Sequence, residues 1–166
     1  MNKCRFIFLL AAVCTLFSCR QGEVEHNISE MLDAVPTDAV IILPTDRLEQ
    51  GIDALLDTTD VLRSLDWGHL KGKKAAVSFV YSGSLSPVLC IEAGKASPDT
   101  LKDVRRILGN VHELGLVAGH FSGQKTGISH NVLIVCRSEA VLASTIRHLE
   151  AGQSVLDAPG FTQVAA

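Results

Sequence analysis

Two unbroken apolar runs, Val88-Leu89-Cys90-Ile91 and Val132-Leu133-Ile134-Val135, constrain this chain more than any other feature. Successive side chains of a β-strand point to opposite faces, so an uninterrupted run puts apolar groups on both. Many of the strand-like segments share this consecutive pattern, so the central strands of the sheet are expected to be covered on more than one side. The two runs lie 44 residues apart, and each is followed by a helix signal. The spacing fits a structural duplication and equally the ordinary rhythm of an α+β domain.

The elements around the runs follow from local chemistry. Ala39-Val40-Ile41-Ile42-Leu43 reads as a strand that stops at Pro44, which has no N–H to donate to a ladder. Asp46 and Glu49 fit a capping box for a helix with apolar residues from Leu48 to Leu65, broken in two by Asp57-Thr58-Thr59-Asp60. Ala75 to Tyr81 and Pro87 to Ala93 read as a hairpin, joined by the polar loop Ser82 to Ser86. Ser97-Pro98 starts a helix whose apolar face is Leu101, Val104, Ile107 and Leu108, ended by Gly109-Asn110. The order then repeats. Leu114 to Phe121 and Asn131 to Cys136 are strands, and Ser138 caps a helix that ends at Gly152. The expected fold is α+β, a strand–helix followed by two hairpin–helix units. Its sheet is mostly antiparallel, with the helices on one face.

The chain begins with a different kind of segment. Lys3 and Arg5 precede a run of 12 uncharged residues, Phe6 to Phe17. Spanning a bilayer takes ~20 residues, so this run suits the apolar region of a secretory signal. Leu16-Phe17-Ser18-Cys19 resembles a bacterial lipobox, in which a small residue precedes a cysteine that becomes diacylated. Phe17 stands where smaller residues are usual, and an ordinary cleaved signal is the competing reading. The lipobox divides the chain into a signal peptide (1–18), a lipidated cysteine with a tether (19–34), an α+β domain (35–152) and the start of a further element (153–166). Leu156-Asp157-Ala158-Pro159-Gly160-Phe161 opens that element, and the chain stops within two turns of it, as in the fragment of a longer product.

Cleavage before Cys19 leaves 148 of the 166 residues and takes the formal charge from −3 to −5. An acidic chain with only 5% aromatic residues is a poor partner for nucleic acid. Its expected membrane contact is the lipid on Cys19, at ~0.8 kcal/mol per buried CH2. Arg20 follows the cysteine where aspartate would favour retention at the inner membrane, so the expected location is the outer membrane of a bacterial envelope.

The sequence resembles the N-terminal part of an uncharacterised family of large Bacteroidetes envelope lipoproteins. The carrying residues are the lipobox, Val35-Pro36-Thr37-Asp38-Ala39-Val40, Ser144-Thr145-Ile146-Arg147-His148-Leu149 and Leu156 to Phe161. The resemblance implies an envelope lipoprotein with a longer C-terminal portion and assigns no catalytic residue.

Candidate chemistry is sparse. His112, His120 and His130 lie within 19 residues and form a conceivable zinc set for a metal-dependent hydrolase, but spacings of eight and ten match no ligand motif. Separate surface histidines are the plainer reading. Trp67, the only tryptophan, fits a binding contact or the edge of a core. Cys90 and Cys136 fit two buried thiols or a disulfide. No phosphate loop or nucleophile elbow occurs, and nothing asks for a cofactor. The leading expectation is a non-enzymatic envelope domain that binds, assembles or scaffolds, with an envelope protein as partner. The alternatives are the hydrolase and a small-molecule or glycan-binding module between the two hairpin–helix units.

Overall fold

The computed structural model describes residues 31–161 except 44, 46, 56–58, 95–96, 126–127 and 159–160. The signal peptide, Cys19 and the final residues therefore lie outside the described residues, as does Asp46 of the expected capping box. Among the described residues five strands form one sheet: β1 (Ala39–Leu43), β2 (Ala75–Tyr81), β3 (Leu85–Glu92), β4 (Val117–Lys125) and β5 (Ile128–Cys136). Their spatial order is β1-β2-β3-β5-β4, and every neighbouring pair is antiparallel. The four longest helices among the described residues are α1 (Leu48–Ala54), α2 (Thr59–Ser64), α3 (Pro98–Asn110) and α4 (Glu139–Glu150). The fold is α+β.

The two apolar runs occupy β3 and β5, which pair in the middle of the sheet, Leu89 opposite Val135 and Ile91 opposite Leu133. Both faces of these strands are dry. Leu89, Ile91, Leu133 and Val135 pack with α1, α2 and α3 on one face. Val88, Cys90, Val132 and Ile134 pack on the other with Met31, Ala34, Val35, Val155 and the apolar stripe of α4. The expectation that helices cover one face is corrected here. Runs apolar at every position need cover on both sides, and the chain divides its helices between them.

That division also bears on the repeat. Cys90 pairs with Ile134, 44 residues on, so a two-fold axis normal to the sheet through this pair carries β3 onto β5 and keeps each residue on its face. The helices break the relation, because α3 and α4 lie on opposite faces. The repeat is thus a property of the strands and not of whole hairpin–helix units.

Close backbone approach sets both helix layers. A β-carbon added at Gly51 of α1 would lie 3.0 Å from Leu89 Cδ1, and one at Gly119 of β4 would lie 3.0 Å from Ile146 and Leu142 of α4. Ser97 caps α3, its hydroxyl accepting from the Thr100 N–H at 3.1 Å. Ser138 stands before α4 without a side-chain cap bond, its carbonyl accepting from the Leu142 N–H at 2.9 Å. The hairpin loops are shorter than expected. β3 begins at Leu85, and β4 and β5 extend to Lys125 and Ile128. Leu114, expected in a strand, closes a 3-10 turn instead.

Candidate interaction surface

Among the described residues, the sheet face that carries α1, α2 and α3 is covered at one end only. Where Leu43, Val77 and Leu89 lie side by side, α1 packs over the row. The next row on that face is Ile41, Phe79 and Pro87, and beyond it Tyr81 stands opposite Leu85. Burial falls along the same strands. Val77 and Leu89 are fully buried, Phe79 and Pro87 are half-buried, and Ile41, Tyr81 and Leu85 are 44%, 66% and 51% exposed. Val40 is 59% exposed at a register irregularity between Ala39 and Ile41. The result is a continuous apolar strip at the corner of the sheet, beside β1, which is an edge strand. The strands stay apolar on this face past the point where the helices stop, and a strip of this kind marks interaction surfaces.

The residues singled out in the sequence are placed elsewhere. Trp67 is 4% exposed, lies in the core under α2 and donates its indole N–H to Leu62 O at 2.9 Å. It occupies a core position and presents no open ring face, so the contact reading passes to Tyr81. The strand through Tyr81 is legible in the sequence; its lack of cover is not, because cover comes from helices placed by the whole fold.

The backbone sets the three histidines at separate positions. His112 sits exposed in the 3-10 turn Val111–Leu114, and His120 lies opposite Leu133 on β4. His130 is paired with Gly123, three positions along β4 from His120, which is about 10 Å at the usual strand rise. Burial lowers the His120 pKa, favouring the neutral imidazole. Among the described residues no group of three His, Cys, Asp or Glu could hold a metal ion.

Cys90 and Cys136 are free buried thiols. Cys136 pairs with Val88, so the two cysteines stand on the same face in a diagonal relation, where Cα atoms lie ~7–8 Å apart. That exceeds the usual reach of a disulfide, ~4.4–6.8 Å. Burial, and secondarily the neighbouring Cys136, push the Cys90 thiol up to about 12.

A polar cluster that the sequence did not reveal joins α3 to the 3-10 turn Gly68–Leu70. Asp103 accepts from the His69 N–H at 2.7 Å, from His69 Nδ1 at 2.9 Å and from Arg106 Nη2 at 2.9 Å. These bonds, the backbone N–H foremost, hold its carboxyl below the usual carboxylate value despite the opposing effect of burial. The cover is shallow, since the His69 side chain above it is 69% exposed. Arg106 also reaches Asp66 at 2.7 Å. The bonds of Asp103 fasten the turn to the helix.

A cleft of about 310 Å3 lies between the two hairpin–helix units, lined by Leu108, Val111, Val117, Ala118, Leu142 and Ile146, with His112 and Glu139 also on its wall. Among the described residues no helix is long and apolar enough to cross a membrane. Neither a protein-family model, nor a curated protein, nor a solved structure matches this chain.

Proposed function

We propose that this chain is a non-enzymatic, lipid-anchored domain of a bacterial envelope that works by binding or assembly. In this reading it is the N-terminal part of one of the large Bacteroidetes lipoproteins it resembles, held at the outer membrane through Cys19. The observation that carries the binding role is the open apolar strip of Ile41, Phe79, Pro87, Tyr81 and Leu85, because a folded domain gains nothing in stability from leaving such side chains in water. Its anchor rests on Leu16-Phe17-Ser18-Cys19 alone.

Two measurements test the two halves. Metabolic labelling with palmitate in a bacterial host is expected to mark the chain, and Cys19→Ser is expected to abolish the label; labelled Cys19→Ser protein would overturn the anchor. A photo-crosslinking residue placed at Tyr81 is expected to give discrete adducts in envelopes, absent when the probe replaces Glu150 on the exposed side of α4. Equal adducts at both positions, or none at Tyr81, would overturn the binding role.

A second reading has one observation behind it. The cleft between the hairpin–helix units lies at the position the sequence suggests for a small-molecule or glycan site, and its wall sets His112 and Glu139 among aliphatic residues.

A further inference from the structure

The lining of the cleft between α3 and α4 fixes where it opens. Leu108 and Val111 reach it from the layer that packs on Leu133 and Val135, while Leu142 and Ile146 reach it from the opposite layer. Layers on opposite faces of one sheet share a cleft only around its margin. Val117 and Ala118 show which margin it is. They are successive residues of β4, their side chains pack on opposite faces, and both line the cleft. Among the described residues no other strand contributes to it. The cleft therefore opens onto the free edge of β4, with a helix layer as each wall.

That edge is regular and unblunted. β4 pairs with β5 alone, in unbroken register from Val117 to Lys125. In an antiparallel pair alternate residues turn their N–H and C=O toward the neighbour, and the rest turn them outward. Among the described residues no backbone bond beyond the β5 ladder reaches β4. From Val117 to Gln124 there is neither a proline nor a lysine, arginine, aspartate or glutamate, the devices that commonly protect an edge. β1, the other edge, is shorter and interrupted by the irregularity between Ala39 and Ile41.

A row of outward backbone groups thus lies between two apolar walls. A compact ligand fills the space between the walls and leaves the row unpaired. A helix pairs its backbone groups internally and leaves it unpaired too. An extended chain matches both features. Its backbone continues the ladder, and its side chains enter the α3 wall and the α4 wall in turn. Both walls are aliphatic, so the matching segment is apolar at consecutive positions, the same pattern that β3 and β5 carry. The cleft of about 310 Å3 takes a few such side chains, and the rest of the segment pairs along Gly119 to Ser122.

We propose that β4 accepts an extended segment of another polypeptide as an added strand, its consecutive apolar residues seated in the cleft between α3 and α4. This site is separate from the Ile41–Tyr81–Leu85 strip and does not depend on it.

Panning a displayed library of short random peptides against the purified chain tests the proposal. Enriched peptides are expected to share a run of consecutive apolar residues. Methylating every second backbone amide of such a peptide is expected to abolish binding, and methylating the alternate set to leave it, because one set faces β4 and the other faces away. Ala143 is exposed on α4 at the cleft, and Ala143→Arg is expected to weaken binding about tenfold or more with circular dichroism unchanged. Leu108→Lys, on the other wall, is expected to do the same. Tyr81→Ser is expected to bind like the parent. Peptides indifferent to both amide sets overturn strand addition. Peptides lost with Tyr81→Ser and kept with Ala143→Arg overturn the site at β4 and leave the binding role of the strip standing. A library that yields no binder also overturns the proposal; if decanoate then raises the melting temperature of the parent and not of Ala143→Arg, the cleft belongs to a small apolar ligand.

Discussion

A β-carbon at Gly68 would lie 2.5 Å from Asp103 Oδ2, so the carboxylate of α3 reaches the 3-10 turn only because residue 68 has no side chain. Gly68 also holds φ at +51°, in the left-handed region. Gly68→Ala therefore meets two costs at once. It is expected to destabilise the chain by about 2–4 kcal/mol, read as a lower midpoint in urea with unchanged slope. An unchanged midpoint would show that the turn moves away from α3 without loss.

Asp103 supplies a pH test with a definite sign. Its folded-state pKa lies below the ordinary value of 3.8, so its stabilisation is complete above that value and is lost as pH falls through the lower, folded one. Asp103→Asn is expected to cost about 1–3 kcal/mol at pH 7, since it weakens bonds to His69 and Arg106. The difference between parent and variant is expected to shrink in acid, below about pH 4. A gap that stays constant from pH 7 to pH 3 would mean that the carboxylate charge contributes nothing.

The thiols are expected to be inert. With Cys90 fully buried and its pKa pushed up to about 12, and Cys136 raised by burial as well, neither presents a thiolate at pH 8. A thiol-specific chromogenic reagent is expected to modify Cys90 and Cys136 only after denaturant is added. Rapid reaction of either in the native chain, or a Cys90–Cys136 disulfide in the mass spectrum, would contradict the packing.

Trp67 reports on the core beneath α2. Its emission is expected to be blue-shifted and poorly quenched by iodide, and to move to the exposed wavelength in one step with unfolding. Trp67→Phe removes the indole N–H that Leu62 O accepts and leaves a void, expected to cost about 1–3 kcal/mol. Strong iodide quenching in the native chain would place the ring at the surface.

Zinc is expected to add nothing. The backbone register separates His120 from His130 by three strand positions, and His112 stands in a turn beyond the strand. Chelation is expected to leave the melting temperature unchanged, and His120→Ala to leave zinc content at background. Stoichiometric zinc lost in His120→Ala would restore the hydrolase reading.

The sequence by itself determined the elements that depend on neighbours along the chain. β1 and β2 fall where their apolar runs lie, Ser97-Pro98 begins α3, and Gly152 follows the end of α4 in a left-handed conformation. It also determined that the central strands would be covered on more than one side, because consecutive apolar residues leave no face for water; that β3 and β5 are those strands is seen in the sheet order. Only the tertiary structure decided which helix covers which face, since Val104 and Val141 are equally apolar and nothing local distinguishes the side each will find. The same applies to the site. Tyr81 read like any other strand residue and Leu85 like part of a loop; they became a surface because α1 stops two rows short of them, and Asp103 became a fastening because α3 passes the one residue, Gly68, that lets it in.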